Sequence, residues 1–322
     1  MRGLESRLNA VWYAGAPAPW VLRVLARIYA AGMAWRRPIT AQRLPVPIIV
    51  VGNFTAGGTG KTPAIIALVD DLKATGYTPG VVSRGYGRSG SGPISVVKNS
   101  QASVTGDEPL LIARRCEVQV RVDADRRRAA EFLIRAGCSV IVSDDGLQHQ
   151  RLPRSLEIEI IDDARGYGNG LLLPAGPLRE LPRKVDFRIR NGKGTDDADA
   201  YGMKLKPGFC RNLASDEVRA LSDFAGSRVH ALAGIGNPDR FFNMLRQSGI
   251  QIIEHAFPDH HRFVAADVPE GPVLMTEKDA IKCEAFASAR CWLVPVTAEL
   301  PEIFAQRPET LLKGENDGQA AA

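Results

Sequence analysis

The sequence lacks the features that mark several classes of protein. Its five cysteines are odd in number and scattered along 322 residues without C-x-x-C spacing. This pattern argues against a disulfide framework or a zinc site and indicates a reducing compartment. No apolar run is long and uninterrupted enough to form a clean membrane-spanning helix. The net charge of +5 is mild and the basic residues form only short groups, so we expect no nucleic-acid partner.

What the chain has is the composition of a globular protein, with 45% hydrophobic and 24% charged residues. An apolar run at 48–51 precedes alternating helical and strand-like stretches, and this alternation predicts a doubly wound, mostly parallel α/β sheet. Further strand-like runs predict a second, smaller α/β lobe. The expected units are residues 1–44, a core at 45–190 and a C-terminal lobe at 191–322. The predicted helices are 61–75, one beginning after 107, and 125–136, and the predicted strands are 80–83, 118–122, 140–143, 157–161, 229–233, 250–253, 273–275 and 292–296.

The N-terminal region carries an amphipathic pattern. From residue 19 onward, apolar residues recur at helical spacing, while Arg23 and Arg27 fall together on another stripe. This pattern is typical of a basic helix that lies in the interface of an anionic membrane. Arginines inside the apolar stretch argue against a signal peptide. The alternative is an amphipathic helix that packs on the rest of a soluble protein.

A glycine-rich segment, GNFTAGGTGKT at 52–62, stands between a predicted buried strand and a predicted helix, the context of a phosphate-binding loop. Backbone amides would surround nucleotide phosphates, Lys61 would offset their charge, and the Thr62 hydroxyl would face Mg²⁺. The strict G-x-x-x-x-G-K-[ST] pattern requires glycine where this chain has Thr55. The expected nucleotide-binding residues are Thr55, Gly57, Gly58, Thr59, Gly60, Lys61 and Thr62.

Two adjacent carboxylates follow another apolar strand in the segment SVIVSDDGLQH at 139–149. Ligands of open α/β sheets bind at the C-terminal ends of the strands, where the Walker B acid of a P-loop protein lies. Asp144 or Asp145 is therefore expected to hold the Mg²⁺ that bridges the nucleotide phosphates. The alternative is an Asp-Gly turn without a metal.

Seven blocks, in order and spacing, resemble the tetraacyldisaccharide 4′-kinase family. Leu147 stands where that family commonly has an aromatic residue, and the family shares Thr55. The resemblance implies an ATP- and Mg²⁺-dependent kinase that phosphorylates the 4′-hydroxyl of an acylated glucosamine disaccharide 1-phosphate in lipid A biosynthesis. It also implies the cytoplasmic face of the inner membrane and no obligate protein partner. The blocks are VGNFTAGGTGKT (51–62), SRGYG (83–87), GDEP (106–109), DDGLQH (144–149), LPAGPLRE (173–180), FPDH (257–260) and MTEKD (275–279).

The resemblance also implies roles for individual residues. Asp107 would accept the proton of the sugar hydroxyl, His260 would orient or tune that carboxylate, and Lys61 would act on the transferred phosphate. His149 would lie near the metal without binding it. Three guanidinium groups would contact phosphate of ATP or of the lipid; they belong to Arg84, Arg126 and Arg179.

Several alternatives stay open at this point. Asp107 could serve as a helix N-cap. Thr276 could likewise cap the helix that follows it. The functional alternative for that segment is a contact of Lys278 or Asp279 with the nucleotide base. The whole chain could also be a membrane-recruited P-loop ATPase or GTPase that acts as a switch, or a soluble small-molecule kinase. All P-loop hypotheses require the loop ending at Lys61 to meet the acidic strand end at Asp144.

Overall fold

The computed structural model of the chain describes residues 2–35, 41–192, 200–215 and 217–306. The α-helices there are α1 (Arg2–Tyr13), α2 (Trp20–Ala34), α3 (Lys61–Ala74), α4 (Ala102–Thr105), α5 (Asp107–Cys116), α6 (Arg126–Arg135), α7 (Pro238–Gln247), α8 (Glu277–Cys283) and α9 (Glu302–Gln306). The strands are β1 (Ile48–Gly52), β2 (Pro79–Ser83), β3 (Ile94–Val96), β4 (Gln119–Val122), β5 (Val140–Asp144), β6 (Leu156–Asp162), β7 (Phe187–Asn191), β8 (Tyr201–Pro207), β9 (Cys210–Asn212), β10 (Val218–Arg219), β11 (Arg228–Ala233), β12 (Gln251–Ala256), β13 (Val273–Thr276), β14 (Cys291–Val294) and β15 (Val296–Glu299).

The larger of two sheets has nine strands in the order β15-β8-β7-β6-β1-β5-β2-β4-β3. Neighbours are parallel except for the pairs β3 with β4 and β8 with β15 at the two edges. Strand β1 lies between β5 and β6 and is buried on both faces, which is why its sequence is a continuous β-branched run. The predicted doubly wound, mostly parallel α/β sheet is confirmed.

The smaller sheet has six strands in the order β10-β9-β14-β13-β11-β12. Its four strands β14, β13, β11 and β12 are parallel, as expected for a second α/β lobe. Strands β8 and β15 belong to the second half of the sequence but pair with each other at the edge of the larger sheet. The predicted division into folding units at residue 190 stays a prediction. The two sheets do not follow it, because β8 and β15 lie after residue 190 and belong to the larger sheet.

Alternation along the central strand builds the two faces of the larger sheet. Ile49 and Val51 pack with residues of α3 and α5, whereas Ile48 and Val50 pack with residues of α6. In the smaller sheet, Phe242 and its neighbours on α7 cover one face, and α8 covers the other. Each sheet therefore has helices on both sides, and the C-terminal ends of its parallel strands stay open to form a site.

Helices α1 and α2 form the N-terminal region. The inner side of α2 buries Ala26, while its outer side exposes apolar residues, including 75% of Trp20 and 63% of Ile28. Tyr29 donates a hydrogen bond from its hydroxyl to the Arg179 carbonyl at 2.7 Å. None of the helices in the described ranges is both long and apolar enough to cross a membrane. The predicted helix is thus present, and its association with a membrane stays a prediction.

The two lobes meet where a glycine of one packs on a glycine of the other. A Cβ atom at Gly236, between β11 and α7, would lie 2.2 Å from the backbone nitrogen of Gly58. Only the absence of a side chain permits this approach. Gly236→Ala should lower the free energy of unfolding by about 1–3 kcal/mol, because backbone atoms must move apart. Urea denaturation measures the difference.

Gly92→Ala is the matched control for that substitution. A Cβ atom at Gly92 meets nothing within 4 Å, so this variant should stay within about 0.5 kcal/mol of the natural protein. Equal stability of the two variants would mean that the contact between the lobes is looser than the structure indicates.

Candidate active site

The loop after β1 has the geometry of a phosphate cradle. Gly60 adopts a left-handed conformation, with φ of 95°, just before α3 begins at Lys61. A Cβ atom at Gly60 would lie 2.1 Å from Nδ2 of Asn191, which itself donates to the Thr59 carbonyl at 2.9 Å. The expected loop residues line the cleft from Gly57 onward. Their amides lie at the N-terminus of a long helix, where an anion is favoured.

Thr55 lies behind this cradle. It is buried, and its backbone forms an antiparallel bridge with Leu178. The amide of Ala56 donates to the Pro177 carbonyl at 2.7 Å, so the loop is held from behind by the segment around 177–179. The contact of Thr55 with nucleotide stays a prediction.

The acidic strand end meets the loop, as every P-loop hypothesis requires. In the register of β1 with β5, Val51 is the partner of Asp144. The Lys61 ammonium lies 3.5 Å from Oδ1 of Asp145 and 3.0 Å from Oδ1 of Asn53. Arg179 approaches the other oxygen of Asp145 at 2.7 Å. Two cations thus hold one carboxylate at the mouth of the cradle.

The two neighbouring carboxylates titrate differently. Burial, reinforced by the charges of Glu108 and Asp145, raises the pKa of Asp144 to about 7. Burial also acts on Asp145, but the charges of Lys61 and Arg179 outweigh it and hold its pKa below the usual range. Asp145 is therefore the permanently charged member of the pair.

The donor set at this point fits Mg²⁺. One oxygen of Asp144 accepts from the Ser83 hydroxyl at 2.8 Å, while its buried Oδ1, like Oδ1 of Asp145, has no hydrogen-bond partner among the described residues. Buried carboxylate oxygens that accept no hydrogen bond suit a hard cation. The described ranges hold no cluster of three or more His, Cys, Asp or Glu residues suited to a metal. Mg²⁺ commonly binds one or two carboxylates plus substrate phosphates.

The three predicted arginines all line the cleft. Arg126 is 5% exposed and donates to the carbonyls of Asp144 and Asp145, at 3.4 and 3.0 Å. Its Nε has no partner in the part of the chain that the structure describes. Arg84 is exposed at the mouth. With Arg179 these groups supply positive charge around the acidic strand end.

His149 lines the same wall. Burial, followed by the charge of Arg126, lowers its pKa to about 4. The imidazole is therefore neutral near pH 7, and its Nε2 has no hydrogen-bond partner within the described ranges. This state suits a polar contact with substrate better than an ion pair.

Asp107 and His260 form a pair at the other end of the cleft. Nδ1 of His260 lies 3.2 Å from Oδ2 of Asp107. Burial raises the pKa of Asp107, but the His260 hydrogen bond and the charge of Lys278 outweigh it, and the pKa falls to about 2. Burial lowers the pKa of His260, but the hydrogen bond to Asp107 together with the charges of Asp259 and Asp107 outweighs it, so its pKa is raised. The two residues predicted to act together are in contact.

The expected alternative of an N-cap at Asp107 is wrong. Helix α5 begins at Asp107 itself, and the capping position belongs to Gly106, whose φ is 92°. Asp107 adds only a local contact, accepting from the amide of Glu108 at 2.9 Å. Its other oxygen, Oδ2, contacts His260.

The predicted cap at Thr276 is confirmed, and Lys278 contacts two carboxylates. The Thr276 side chain accepts from the amide of Asp279, which identifies it as the N-cap of α8. The ammonium of Lys278 lies 3.1 Å from Glu108 and 3.1 Å from Asp259. A contact of Lys278 or Asp279 with the nucleotide base stays a prediction.

Left-handed backbone marks two of the expected residues. Among non-glycine residues in the described ranges, positive φ occurs at Glu117, Asp145 and His260. Glu117 ends a helix, where this conformation is common. Asp145 and His260 lie in the cleft with φ of 51° and 58°. Such backbone strain persists where the surrounding structure enforces it, typically at functional sites.

Several residues of the site were not predicted. Asn53 contacts Lys61, Ser83 contacts Asp144, and the ring of Tyr86 lies 4.8 Å from that of His260. All three belong to the blocks that carry the resemblance, which was the available signal. Asn191 was missed because nothing in its local sequence indicates a contact with the phosphate loop.

A cleft of about 1550 Å³ is lined by the phosphate loop, the acidic strand end and His260. This volume exceeds the roughly 300–1,000 Å³ of pockets for one small ligand. Asp107 is joined to this lining through its contact with His260. The arrangement suits transfer of a phosphoryl group between two bound molecules.

Comparisons with known proteins agree with this geometry. A family model described as Tetraacyldisaccharide-1-P 4′-kinase matches residues 18–313. The tetraacyldisaccharide 4′-kinase of Stenotrophomonas maltophilia (strain R551-3) is 48% identical over 328 residues, covering 94% of this chain and 96% of that protein. That of Xanthomonas euvesicatoria pv. vesicatoria (strain 85-10) is 49% identical over 323 residues, covering 93% and 94%.

The fold has a counterpart among solved structures. The "apo" form of LpxK from Aquifex aeolicus in complex with ATP superposes with a TM-score of 0.66 at 28% sequence identity, covering 96% of this chain and 98% of that one. The family match spans nearly the whole chain and the relatives are close to half identical. The chain therefore belongs to the tetraacyldisaccharide 4′-kinase family.

Proposed function

We propose that the protein transfers the γ-phosphoryl group of ATP to the 4′-hydroxyl of a tetraacyldisaccharide 1-phosphate, the step that makes the bis-phosphorylated precursor of lipid A. The observation that carries the proposal is one cleft lined by Lys61, Asp145 and His260, in which Lys61 pairs with Asp145 and His260 contacts Asp107. Family membership supplies the acceptor, and the geometry supplies a place for each reactant.

The chain's own groups divide the work of the transfer. Lys61 and the loop amides bind the phosphates, and the Asp107 carboxylate takes the proton of the attacking hydroxyl. A new bond forms between that oxygen and the γ-phosphorus, the bond from the γ-phosphorus to the β–γ bridging oxygen breaks, and ADP leaves. Mg²⁺, held by Asp144, Asp145 and Thr62, would neutralise charge on the phosphates. His260 holds Asp107 in place. The raised pKa of its imidazole favours the protonated, positively charged form.

The remaining guanidinium groups suit the phosphates of both substrates. Arg126 and Arg179 are fixed beside the acidic strand end, close to the place of the transferred group. Arg84, exposed at the mouth, is free to contact the 1-phosphate of the lipid. His149, neutral at pH 7, lines the same cleft.

The lipid substrate requires access from a membrane, and α2 provides it in this proposal. Its outer side presents apolar residues next to the exposed Arg23 and Arg27, a combination that binds anionic interfaces. Tyr29 of the same helix lines the cleft and bonds to the Arg179 carbonyl. The protein would thus lie on the cytoplasmic face of the inner membrane, where ATP is available, with the cleft beside the lipid.

The alternative of a P-loop ATPase or GTPase switch is not favoured. A switch needs the phosphate loop and the magnesium acid but no buried carboxylate for a second substrate. Asp107 is 6% exposed and is held at the cleft by His260. This pair, together with family membership, favours a kinase.

Asp107→Asn tests the proposed chemistry directly. Incubation with labelled ATP and the acylated disaccharide monophosphate, followed by extraction of lipid, measures transfer. The variant should lose about 10²- to 10⁴-fold in kcat, because an amide cannot accept the proton. ATP affinity should stay close to that of the natural protein. Asp70→Asn, at an exposed position on α3, is the control, and near-normal turnover of Asp107→Asn would remove this residue from the mechanism.

Asp144→Asn and Asp145→Asn test the metal. Loss of a carboxylate ligand should raise the Mg²⁺ concentration for half-maximal activity by about tenfold or more. The larger increase identifies the residue that binds the metal. A titration of activity with MgCl₂ measures both variants. If neither titration curve moves, Mg²⁺ binds elsewhere and this assignment is lost.

Flotation with vesicles tests the membrane surface. The triple change Trp20→Ser, Leu25→Ser and Ile28→Ser should reduce binding to phosphatidylglycerol vesicles at least about tenfold, because the apolar face no longer enters the interface. Phe209→Ser with Val218→Ser removes exposed apolar groups elsewhere and should float like the natural protein. Equal flotation of both variants would exclude α2 as the anchor. Circular dichroism checks that each variant is folded.

A further inference from the structure

The ammonium group of Lys278 lies among three carboxylates in the cleft wall. Its distances are 3.1 Å to Glu108, 3.1 Å to Asp259 and 3.8 Å to Asp107. The Lys278 side chain is 13% exposed, so water screens these charges only weakly.

These three carboxylates come from two lobes. Asp107 and Glu108 open α5, which packs on the nine-stranded sheet. Asp259 lies in the loop that follows β12 of the six-stranded sheet. Lys278 stands in the first turn of α8, which follows β13 of that same smaller sheet. Its contacts therefore join the lobes at the end of the cleft that holds the Asp107–His260 pair.

Lys278 also restrains the loop that carries the imidazole. One oxygen of Asp259 accepts from the backbone amide of His260 at 3.0 Å and from the Lys278 ammonium at 3.1 Å. The backbone of His260 is left-handed, with φ of 58°, a conformation that needs such external support. Without the ammonium, Asp259 would lose its cation and the loop one of its restraints.

The start of α8 is itself anchored independently of this cluster. The Thr276 side chain caps the helix, and both oxygens of Glu277 accept from Arg115 of α5 at 2.7 Å. Arg114 of α5 forms a second ion pair with Glu284, the residue that directly follows α8. The ammonium of Lys278 is thus held where it is by packing around it, which is what a positioning group requires.

We propose that Lys278 is a positioning residue for the phosphoryl transfer: its ammonium holds Asp107 of one lobe against the His260 loop of the other and keeps the Asp107 carboxylate charged. This inference rests on the proposed role of Asp107 as acceptor of the hydroxyl proton. It assigns to Lys278 no contact with ATP or with the lipid.

The charges around Asp107 give the direction of the effect. The cations His260, Lys278 and Lys282 lower the pKa of Asp107 against the effect of burial, while the carboxylates of Glu108 and Asp259 stand close by. Removal of the Lys278 charge leaves only His260 and Lys282 to oppose burial and these like charges, so the pKa of Asp107 rises from about 2. A base with a raised pKa is protonated at higher pH, and activity then fails earlier as the pH falls.

Lys278→Met in the full-length protein tests this inference. At about pH 8 the variant should show a kcat lowered by about tenfold or more, with the KM for ATP changed less than about threefold. As the pH is lowered, its kcat should begin to decline at a higher pH than that of the natural enzyme, because the Asp107 base with a raised pKa is protonated earlier. Lys278→Arg keeps the charge and should restore part of the kcat and most of the pH profile.

Two controls separate positioning from simple stabilisation. Lys98→Met removes a lysine from an exposed ion pair with Glu117 and should leave kcat and its pH profile unchanged. Thermal unfolding reports the folded fraction of every variant, and Lys278→Gln replaces the methionine variant if that one fails to fold. A pH profile for the neutral variants that parallels the natural one, at any level of stability, would overturn the inference.

Asp107→Asn distinguishes failure of this inference from failure of the proposed function. If Asp107→Asn turns over normally, the proposed base is wrong whatever Lys278 does. If Asp107→Asn is inactive and Lys278→Met keeps the natural pH profile, only the proposed role of Lys278 is refuted. If both residues act together, the double variant should be no slower than Asp107→Asn alone, because Lys278 acts through that carboxylate.

Discussion

The parallel pairing of β1 with β5 is the constraint on which the rest of the site depends. It sets Val51 beside Asp144, so that the loop after one strand and the carboxylates after the other are neighbours in space although about ninety residues apart in sequence. Lys61 then reaches Asp145, and Arg126 reaches the carbonyls of both acids. A shift of one residue in this register would turn Asp144 to the opposite face and dissolve the arrangement.

Several polar side-chain atoms at this site are buried without hydrogen-bond partners among the described residues. Leaving such groups unsatisfied costs about 1–3 kcal/mol each, and the described residues offer no partner to Oδ1 of Asp144, Nε of Arg126 or Nε2 of His149. All three lie along the cleft. Bound ligands would form hydrogen bonds with these groups and so offset the cost. Part of the binding free energy would therefore come from pairing polar groups that folding leaves unpaired.

The sequence was informative about local elements and about the phosphate site. Apolar runs predicted nine of the fifteen strands in the described ranges, and the segments ending at Lys61 and Asp145 were predicted to meet. The missed strands are β3, β7, β8, β9, β10 and β15. Edge pairing could not be predicted, because β8 and β15 join the larger sheet through contacts distant in the chain. The carboxylate contacts of Lys278 were not predicted for a related reason. Residue type shows that a lysine is present, but its partners depend on how the two lobes pack.

The position of α2 bears on how a lipid could reach a buried carboxylate. An acylated disaccharide keeps its chains in the bilayer while its sugar must enter the cleft, so the mouth has to lie at headgroup depth. A spanning helix would not set that depth, whereas a helix lying in the interface does. The bond from Tyr29 to the Arg179 carbonyl fixes such a helix to the segment whose side chain holds Asp145. In the proposed function, residues 177–179 therefore connect the membrane-bound helix α2 to the carboxylate of the phosphate site.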